Sequence, residues 1–290
     1  MTGDLEIYAF SGTGNTRLVA RLLERELKTH GAEVTFERME EVVHSKAAIP
    51  AENAEVLGVG FPVHGFGAPR IVFDFVKRLP PGAGRRVFLF ITAADVVSIN
   101  RAAAAPIARR LESRGYDLFH ESLFPMPANI GLRYPDSLSK RLCARAGEEA
   151  SRIAKEILAG RRHRFSESAL LRLTARAVNA CEHLGARLLG KHLKASNACT
   201  LCGACVRDCP TRNIREVGKR IRFRWRCLGC FRCVYRCLEG AISPSGLGFL
   251  VLKDGYDIER IAAAPEPEDG FFSRRPGWLY KRLVAHVRER

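Results

Sequence analysis

A doubly wound α/β domain followed by a compact cysteine-rich α+β unit is the fold class that this 290-residue sequence predicts. Three observations carry it. Apolar strand-like runs alternate with helical patterns over the first 160 residues. A glycine-rich turn, residues 11–16, joins the first strand to the first helix. Of the ten cysteines, nine follow residue 160, and eight of those fall in two runs of identical spacing.

The elements follow in order. Leu5–Phe10 reads as a strand and residues 11–16 as the turn. Thr16–His30 reads as a helix, with Leu18, Val19, Leu22, Leu23 and Leu27 on one stripe and Gly31 as its stop. Val34–Phe36 is a short strand, Val56–Phe61 a buried one, and Ile71–Leu79 a helix. Arg86–Thr92 holds the unbroken apolar run Val87, Phe88, Leu89, Phe90, Ile91, the pattern of a central parallel strand. Asn100–Arg114 is expected to be helical up to Gly115, Leu118–Phe124 is the last strand, and Ser137–Leu158 is a closing helix ending before Gly160. Five strands alternating with helices give a parallel sheet covered on both faces, and ligands of such sheets bind at the carboxyl ends of the strands.

Composition narrows the function classes. Hydrophobic residues make up 47% and charged residues 27%, which suits a folded protein rather than a disordered one. No run of about 18 apolar residues marks a membrane span. Residues 1–4 lead into a strand with no basic and apolar leader pattern, so a reducing cytosolic setting is expected, where clustered cysteines serve metals more than disulfides. The net charge is +16 and uneven: residues 1–160 hold 21 Lys and Arg against 19 Asp and Glu, and residues 161–290 hold 26 against 12.

The turn reads Ser11, Gly12, Thr13, Gly14, Asn15, Thr16. Amides and hydroxyls at the start of a helix form an anion cradle, reinforced by the helix dipole. No Lys follows Gly14, which excludes a P-loop, and Arg17 stands where a dinucleotide fingerprint needs its third glycine. A terminal monophosphate suits the remaining pattern.

On these residues the first 160 positions resemble flavodoxins. The turn looks like their FMN phosphate loop, and residues 60–69, with Pro62, Val63, His64, Gly65 and Phe66, are similar to their second flavin loop. Thr92, Ala93 and Ala94 stand where the third loop falls, although without its usual aromatic residue or glycine. The resemblance implies bound FMN, with His64 and Phe66 against the ring. The alternatives are that Phe66 packs beneath its own loop and that His64 is an exposed loop residue. Met126, Pro127, Ala128 and Asn129 resemble a segment of flavodoxin–ferredoxin fusions, to which no chemistry is assigned.

Residues 199–210 and 227–238 both read C-x2-C-x2-C-x3-C. This is the spacing of bacterial two-cluster ferredoxins, in which each run gives three thiolates to one [4Fe–4S] cluster and its fourth to the other. Two-residue gaps let three thiolates wrap one face of a cuboidal cluster, and the longer gap sends the fourth across. Cys199, Cys202, Cys205 and Cys237 are therefore assigned to one cluster, and Cys227, Cys230, Cys233 and Cys209 to the other. Zinc is the rival for paired C-x2-C motifs. Pro210 follows the first run, while Leu238 replaces the proline expected after the second. Gly203, Ala204, Ile214, Gly229, Ala241 and Ile242 are expected to pack around the clusters, and Cys143 and Cys181 to be buried helix residues outside the ligand sets.

Three basic segments remain. Arg220, Arg222, Arg224 and Arg226 alternate with Ile221, Phe223 and Trp225, which predicts a strand with an arginine face outward and an apolar face over the clusters. The outward face would be a solvated edge or a docking ridge for an acidic partner. Residues 170–193 place Leu170, Thr174, Ala177, Val178, Cys181, Leu184, Leu188 and Leu189 on one helical stripe, read as a core helix docking the two halves, with a membrane helix as the alternative. The extension 246–290 carries Phe271, Phe272, Trp278, Leu279 and Tyr280 among basic residues, so peripheral membrane contact or packing onto the first domain is expected of it.

The expected organisation is a flavodoxin-like domain over 1–160, a helical connector over 161–195, a 2[4Fe–4S] ferredoxin domain over 196–245 and a basic extension over 246–290. The expected function is electron transfer between FMN and two [4Fe–4S] clusters and on to an acidic redox partner. The alternatives are a flavin-dependent oxidoreductase acting on a small molecule or quinone, with the clusters as its wire, and a basic nucleic-acid-binding or regulatory iron–sulfur protein. No nucleic-acid motif appears, and the negative charge of the clusters reduces the basicity of the second half.

Overall fold

In a computed structural model, which describes residues 4–45 and 54–289, the first 160 positions form the expected sheet. Its elements are β1 (Leu5–Ala9), α1 (Asn15–Thr29), β2 (Val34–Arg38), α2 (Met39–His44), β3 (Val56–Pro62), α3 (Arg70–Arg78), β4 (Arg86–Ala93), α4 (Ser98–Arg101), α5 (Ala105–Glu112), β5 (Asp117–Pro125) and α6 (Asp136–Leu158). All four strand pairings are parallel and the order is β2-β1-β3-β4-β5, which is the flavodoxin-like winding. The order reverses beside β1, so the turn after β1 lies at the topological switch point.

Alternation along the strands divides the core. Leu57, Val59, Phe61, Val87, Leu89 and Ile91 face α3 and α5, while Ile7, Ala9, Phe88, Phe90 and Phe119 face α1 and α6. Gly58 and Gly60 of β3 lie in register with Phe88 and Phe90 of β4. A Cβ at Gly60 would meet the Phe90 ring at 2.0 Å, so these rings fill the space that side chains on β3 would occupy. The helix expected over 100–114 is broken instead into α4 and α5. Pro106 falls in the first turn of α5, where its missing N–H costs nothing, whereas a continuous helix would lose a bond there.

A long helix, α7 (Ala169–His192), leads to β6 (Leu193–Ala195), α8 (Ala204–Arg207), β7 (Ile214–Glu216), β8 (Ile221–Phe223), α9 (Arg232–Tyr235) and β9 (Ile242–Pro244). β6 pairs with β9 and β7 with β8, both antiparallel, giving the small α+β unit expected of the cysteine-rich segment. The helices α10 (Ile258–Ala263) and α11 (Lys281–Arg288) end the chain. Leu283 and Val284 of α11 are buried with Tyr134, Leu138 and Leu142, and Phe271, Phe272 and Tyr280 pack against them. The extension therefore folds back onto α6, leaving Trp278 in solvent.

Three further expectations are corrected. The arginine-rich strand is short: after Phe223 the amides of Arg224 and Arg226 turn to the carbonyl and side-chain oxygens of the buried Asn213. Trp225 is thereby released from the cluster-facing side and lies half-exposed, with Lys191 4.9 Å from its ring. Cys143 is buried as expected, but Cys181 is exposed. The buried residues of α7 are small ones, Ala175, Ala186 and Gly190, and most of its expected stripe points away, with Leu170 and Leu184 exposed, whereas Leu189 packs inward and Leu188 borders a cavity. Gly190 explains the inversion: a Cβ there would lie 2.4 Å from Cβ of Cys227, so only glycine allows the helix to approach this closely. Among the described residues, no helix is long and apolar enough to cross a membrane.

Candidate flavin and iron–sulfur site

At the carboxyl ends of β1, β3 and β4 lies a cavity of about 600 Å³. Ser11, Gly12, Thr13, Asn15, Thr16, Pro62, Val63, His64, Gly65, Thr92, Ala93 and Ala94 all line it, so three loops distant in sequence converge there. Gly14 and Phe66 do not. Gly14 has φ +117° and serves the turn itself: its amide donates to Ser11 Oγ at 3.1 Å. Phe66 sits at the tip of a turn closed by two 2.9 Å bonds between the backbones of His64 and Gly67. Residues 65 and 66 both have positive φ there, so the Phe66 ring is turned aside from the cavity and does not stack in it.

Internal bonds hold the phosphate-type loop in shape. Thr16 and Thr92 share a buried 2.8 Å hydroxyl contact that ties the first loop to the third. Asn15 donates to the Pro127 carbonyl at 2.9 Å, and Asn129 donates to Thr13 Oγ1 at 2.5 Å. The segment after β5, to which the sequence assigned no chemistry, is thus a wall of the cavity, with Pro127, Ala128 and Asn129 lining it. Its position after a parallel strand was the available signal. Tyr256 adds a brace from the extension, donating to Asn15 Oδ1 at 2.5 Å.

The opposite wall comes from the second half of the chain: Glu182, Gly185, Ala186, Leu188, Leu189 and His192 of α7, with Gly229 and Phe231 of the second cysteine run. Loop two docks on α7 through Asn179, which donates to the His64 carbonyl at 2.7 Å. His64 is buried, which pushes its imidazole down to about 4 and leaves it neutral. Glu182 has the opposite response to the same cause: burial pushes its carboxyl up to about 7. Its Oε1 lies 3.9 Å from His64 Nδ1.

The thiols of the two runs lie near one another: Cys205 interacts electrostatically with Cys199, Cys202 and Cys237, and Cys233 with Cys230, Cys227, Cys209 and also Cys205. The two runs repeat their backbone as well as their cysteines. Leu201, Gly203 and Arg212 have positive φ in the first, and Gly229, Phe231 and Gly240, each 28 residues later, in the second. Non-glycine residues in this region are held there at a cost of about 1–2 kcal/mol each, so the same loop shape is imposed twice. Backbone amides donate to the thiols: Asn213 to Cys209 at 3.2 Å, Ala241 to Cys237 at 3.3 Å and Gly229 to Cys227 at 3.4 Å. Burial and the neighbouring thiols push Cys205 up to about 11 and Cys227 up to about 12. A positively charged centre bound among the thiols favours their ionised form against that burial. Among the described residues, no three His, Cys, Asp or Glu side chains lie close enough to share a single ion.

The two halves meet at Arg232, which is 5% exposed. Its guanidinium donates to the carbonyls of Ser11 at 2.5 Å, Gly12 at 3.1 Å and Asp208 at 2.9 Å, and pairs with Glu40 at 2.6 Å. Spending the carbonyls of the turn on Arg232 leaves its amides for the cavity side. Gly12 is required at this seam: a Cβ there would lie 2.9 Å from the carbonyl oxygen of Cys230.

Residues 191–238 match the family of 4Fe-4S dicluster domains. No curated protein matches the chain. Among solved structures, the chain is similar to oxidised Flavodoxin 2 from Bacillus cereus, with 19% identity over 54% of this chain and 98% of that one at a TM-score of 0.40. It is similar to a Megasphaera elsdenii flavodoxin at 22% identity, over 51% of this chain and 98% of that one, TM-score 0.32. It is also similar to an NAD(P)H:quinone oxidoreductase from Methanothermobacter marburgensis at 12% identity, over 55% and 98%, TM-score 0.42. The carboxy-terminal half thus contains a 4Fe-4S dicluster domain, joined to a domain of flavodoxin-like winding.

Proposed function

We propose that the protein carries electrons between an FMN held in the cavity and two [4Fe–4S] clusters held by the two cysteine groups. The observation that carries this reading is the seam: the turn suited to a phosphate abuts Cys230 at Gly12, and Gly229 and Phe231 of the same run line the cavity. When bound, a flavin exchanges one or two electrons and each cluster one.

The residues have separable tasks in this reading. The amides of residues 12, 13, 15 and 16 hold a phosphate at the start of α1, with Arg232 fixing the turn from behind. Asn129 and Tyr256 fix the hydroxyl and amide side chains of the turn. Cys227, Cys230, Cys233 and Cys209 hold the cluster beside the cavity. Cys199, Cys202, Cys205 and Cys237 hold the outer one, and the exposure of Cys202 puts that set at the surface where a partner can approach. Glu182, pushed up to about 7 by burial, exchanges a proton near neutral pH at the cavity wall, which favours, as a second reading, a flavin-dependent oxidoreductase whose two-electron step needs a proton.

The test is anaerobic purification followed by iron, sulfide, flavin and zinc analysis. About eight iron per chain, as two four-iron clusters require, with about one flavin is the expected result. Zinc in place of iron, or iron with no flavin after reconstitution with FMN, overturns it.

A further inference from the structure

We propose that the outward face of α7 is a docking surface for an anionic lipid bilayer, on which the helix lies parallel to the membrane. The helix is amphipathic in the reverse of the usual sense. Its small residues Ala175, Ala186 and Gly190 face the protein, while Leu170, Leu173 and Leu184 face solvent; Leu188 and Leu189, near its end, border the cavity. Leu170 is 75% exposed, Leu173 63% and Leu184 58%. At 100° per residue Leu170, Leu173 and Leu184 fall within one 60° sector, with Ala177 inside it and the exposed Cys181 just beyond its edge. That sector lies opposite Ala175 and Ala186. A contiguous exposed leucine stripe of this length is a feature of interaction surfaces, not of ordinary solvated helices.

Charge selects the occupant. Arg176, Arg187 and Lys191 run along one side of the stripe, and the helix has one acidic residue, Glu182, which is turned into the cavity. Beside the carboxy-terminal end lie the half-exposed Trp225, over which Lys191 sits, and the exposed Arg224 and Arg226. Nearby, Arg222 and Arg215 stand directly opposite each other across β7 and β8, a like-charge pair that an anionic surface relieves. Leucines with basic residues along one side, and a tryptophan at the edge, suit the boundary between headgroups and acyl chains. A second copy of this chain would bring the same arginines together without acidic groups to meet them. The inference uses the helix and not the cofactor reading, although Gly185, Leu188 and Leu189 of the same helix line the cavity.

The experiment is co-sedimentation of the full chain with vesicles of phosphatidylglycerol and phosphatidylcholine, against phosphatidylcholine alone. Binding to the anionic vesicles is expected, weakening with salt as charges at the surface are screened. The variant Leu173→Glu with Leu184→Glu alters two side chains that are solvent-exposed in the fold, and it should lower binding by roughly tenfold or more while iron content and circular dichroism stay unchanged. Trp278→Ala, on the extension, should leave binding unchanged. No sedimentation with anionic vesicles overturns the proposal, as does binding that the helix variant leaves intact. A concentration-dependent dimer in the ultracentrifuge that the helix variant disperses, without vesicle binding, assigns the face to a second copy and also overturns it.

Discussion

Replacing Arg232 by Met removes the guanidinium on which both halves of the molecule converge while keeping an unbranched apolar stem in its place. Three carbonyls and one carboxylate lose their donor, and Glu40, 5% exposed, loses the closer of its two cationic partners. Breaking a buried pair by removing one member costs about 3–5 kcal/mol, because the remaining charge stays buried. Arg38 still reaches Glu40 at 2.7 Å, which puts the expectation at the lower end, about 3 kcal/mol. For a unit of 150–250 residues, about 2–4 °C is lost per kcal/mol, so the thermal midpoint should fall by roughly 6–12 °C.

The loss should depend on pH. Burial pushes the Glu40 carboxyl up, but Arg232 and Arg38 outweigh it and hold it below the ordinary carboxylate value. A carboxylate lowered in the folded state stabilises above its unfolded pKa and loses that contribution as pH falls through its folded one. The gap between native protein and variant should therefore be full at pH 7 and shrink as the medium is acidified below about 4.5. Glu40→Gln in the Arg232→Met background removes the stranded charge and should recover part of the loss, giving a coupling of about 0.5–3 kcal/mol. The assay is thermal unfolding by circular dichroism of the anaerobic protein, repeated for the four members of the cycle. A midpoint within about 2 °C of native, which is less than 1 kcal/mol, would refute the role given to Arg232 as the clamp between the halves.

Other outcomes follow from the same geometry. Cys209→Ala should lower iron from about eight to about four or five per chain and abolish the EPR signal of the second run's cluster, and loss confined to the first run's cluster contradicts the cross-pairing. Glu149, pushed up to about 7 chiefly by burial against α11, contributes stability at acid pH that fades as pH rises through that value. Glu149→Gln should therefore gain roughly 1–3 kcal/mol over native protein at pH 8 and nothing at pH 4, read by urea unfolding at both. Arg222→Glu with Arg224→Glu should slow reduction of an acidic carrier protein several-fold at low salt and leave the rate at high salt unchanged, measured by stopped flow.

The elements that sequence made legible are those with a strong period or a fixed spacing. The unbroken apolar run of β4 and the stripe of α1 translate into burial without help from distant residues, and the cysteine spacing carries a repeated loop because its geometry is local. What sequence left dark depends on tertiary contact. Phe66 reads equally as a ring-stacking residue and as one packed beneath its own loop until the turn from His64 to Gly67 closes and carries it aside. The apolar stripe of α7 reads as core, because periodicity reports that a helix has two faces and not which one the protein covers. Gly190 against Cys227 decides that. Asn213, which draws the chain out of β8 and releases Trp225, has no sequence signature at all. Arg232 stands one residue before a cysteine and reads as one more positive charge, yet it bridges a turn 220 residues earlier.

The central claim is that cavity and cysteine groups form one electron path within a single chain. Anaerobic stopped-flow mixing of the flavin- and iron-loaded protein with a two-electron reductant tests it most directly, with flavin and cluster absorbance followed together. Cluster bleaching that follows flavin reduction with a first-order rate independent of protein concentration is the predicted result. A rate that scales with protein concentration, or clusters that stay oxidised while the flavin is fully reduced, even when their own potentials lie above that of the reductant, would contradict it.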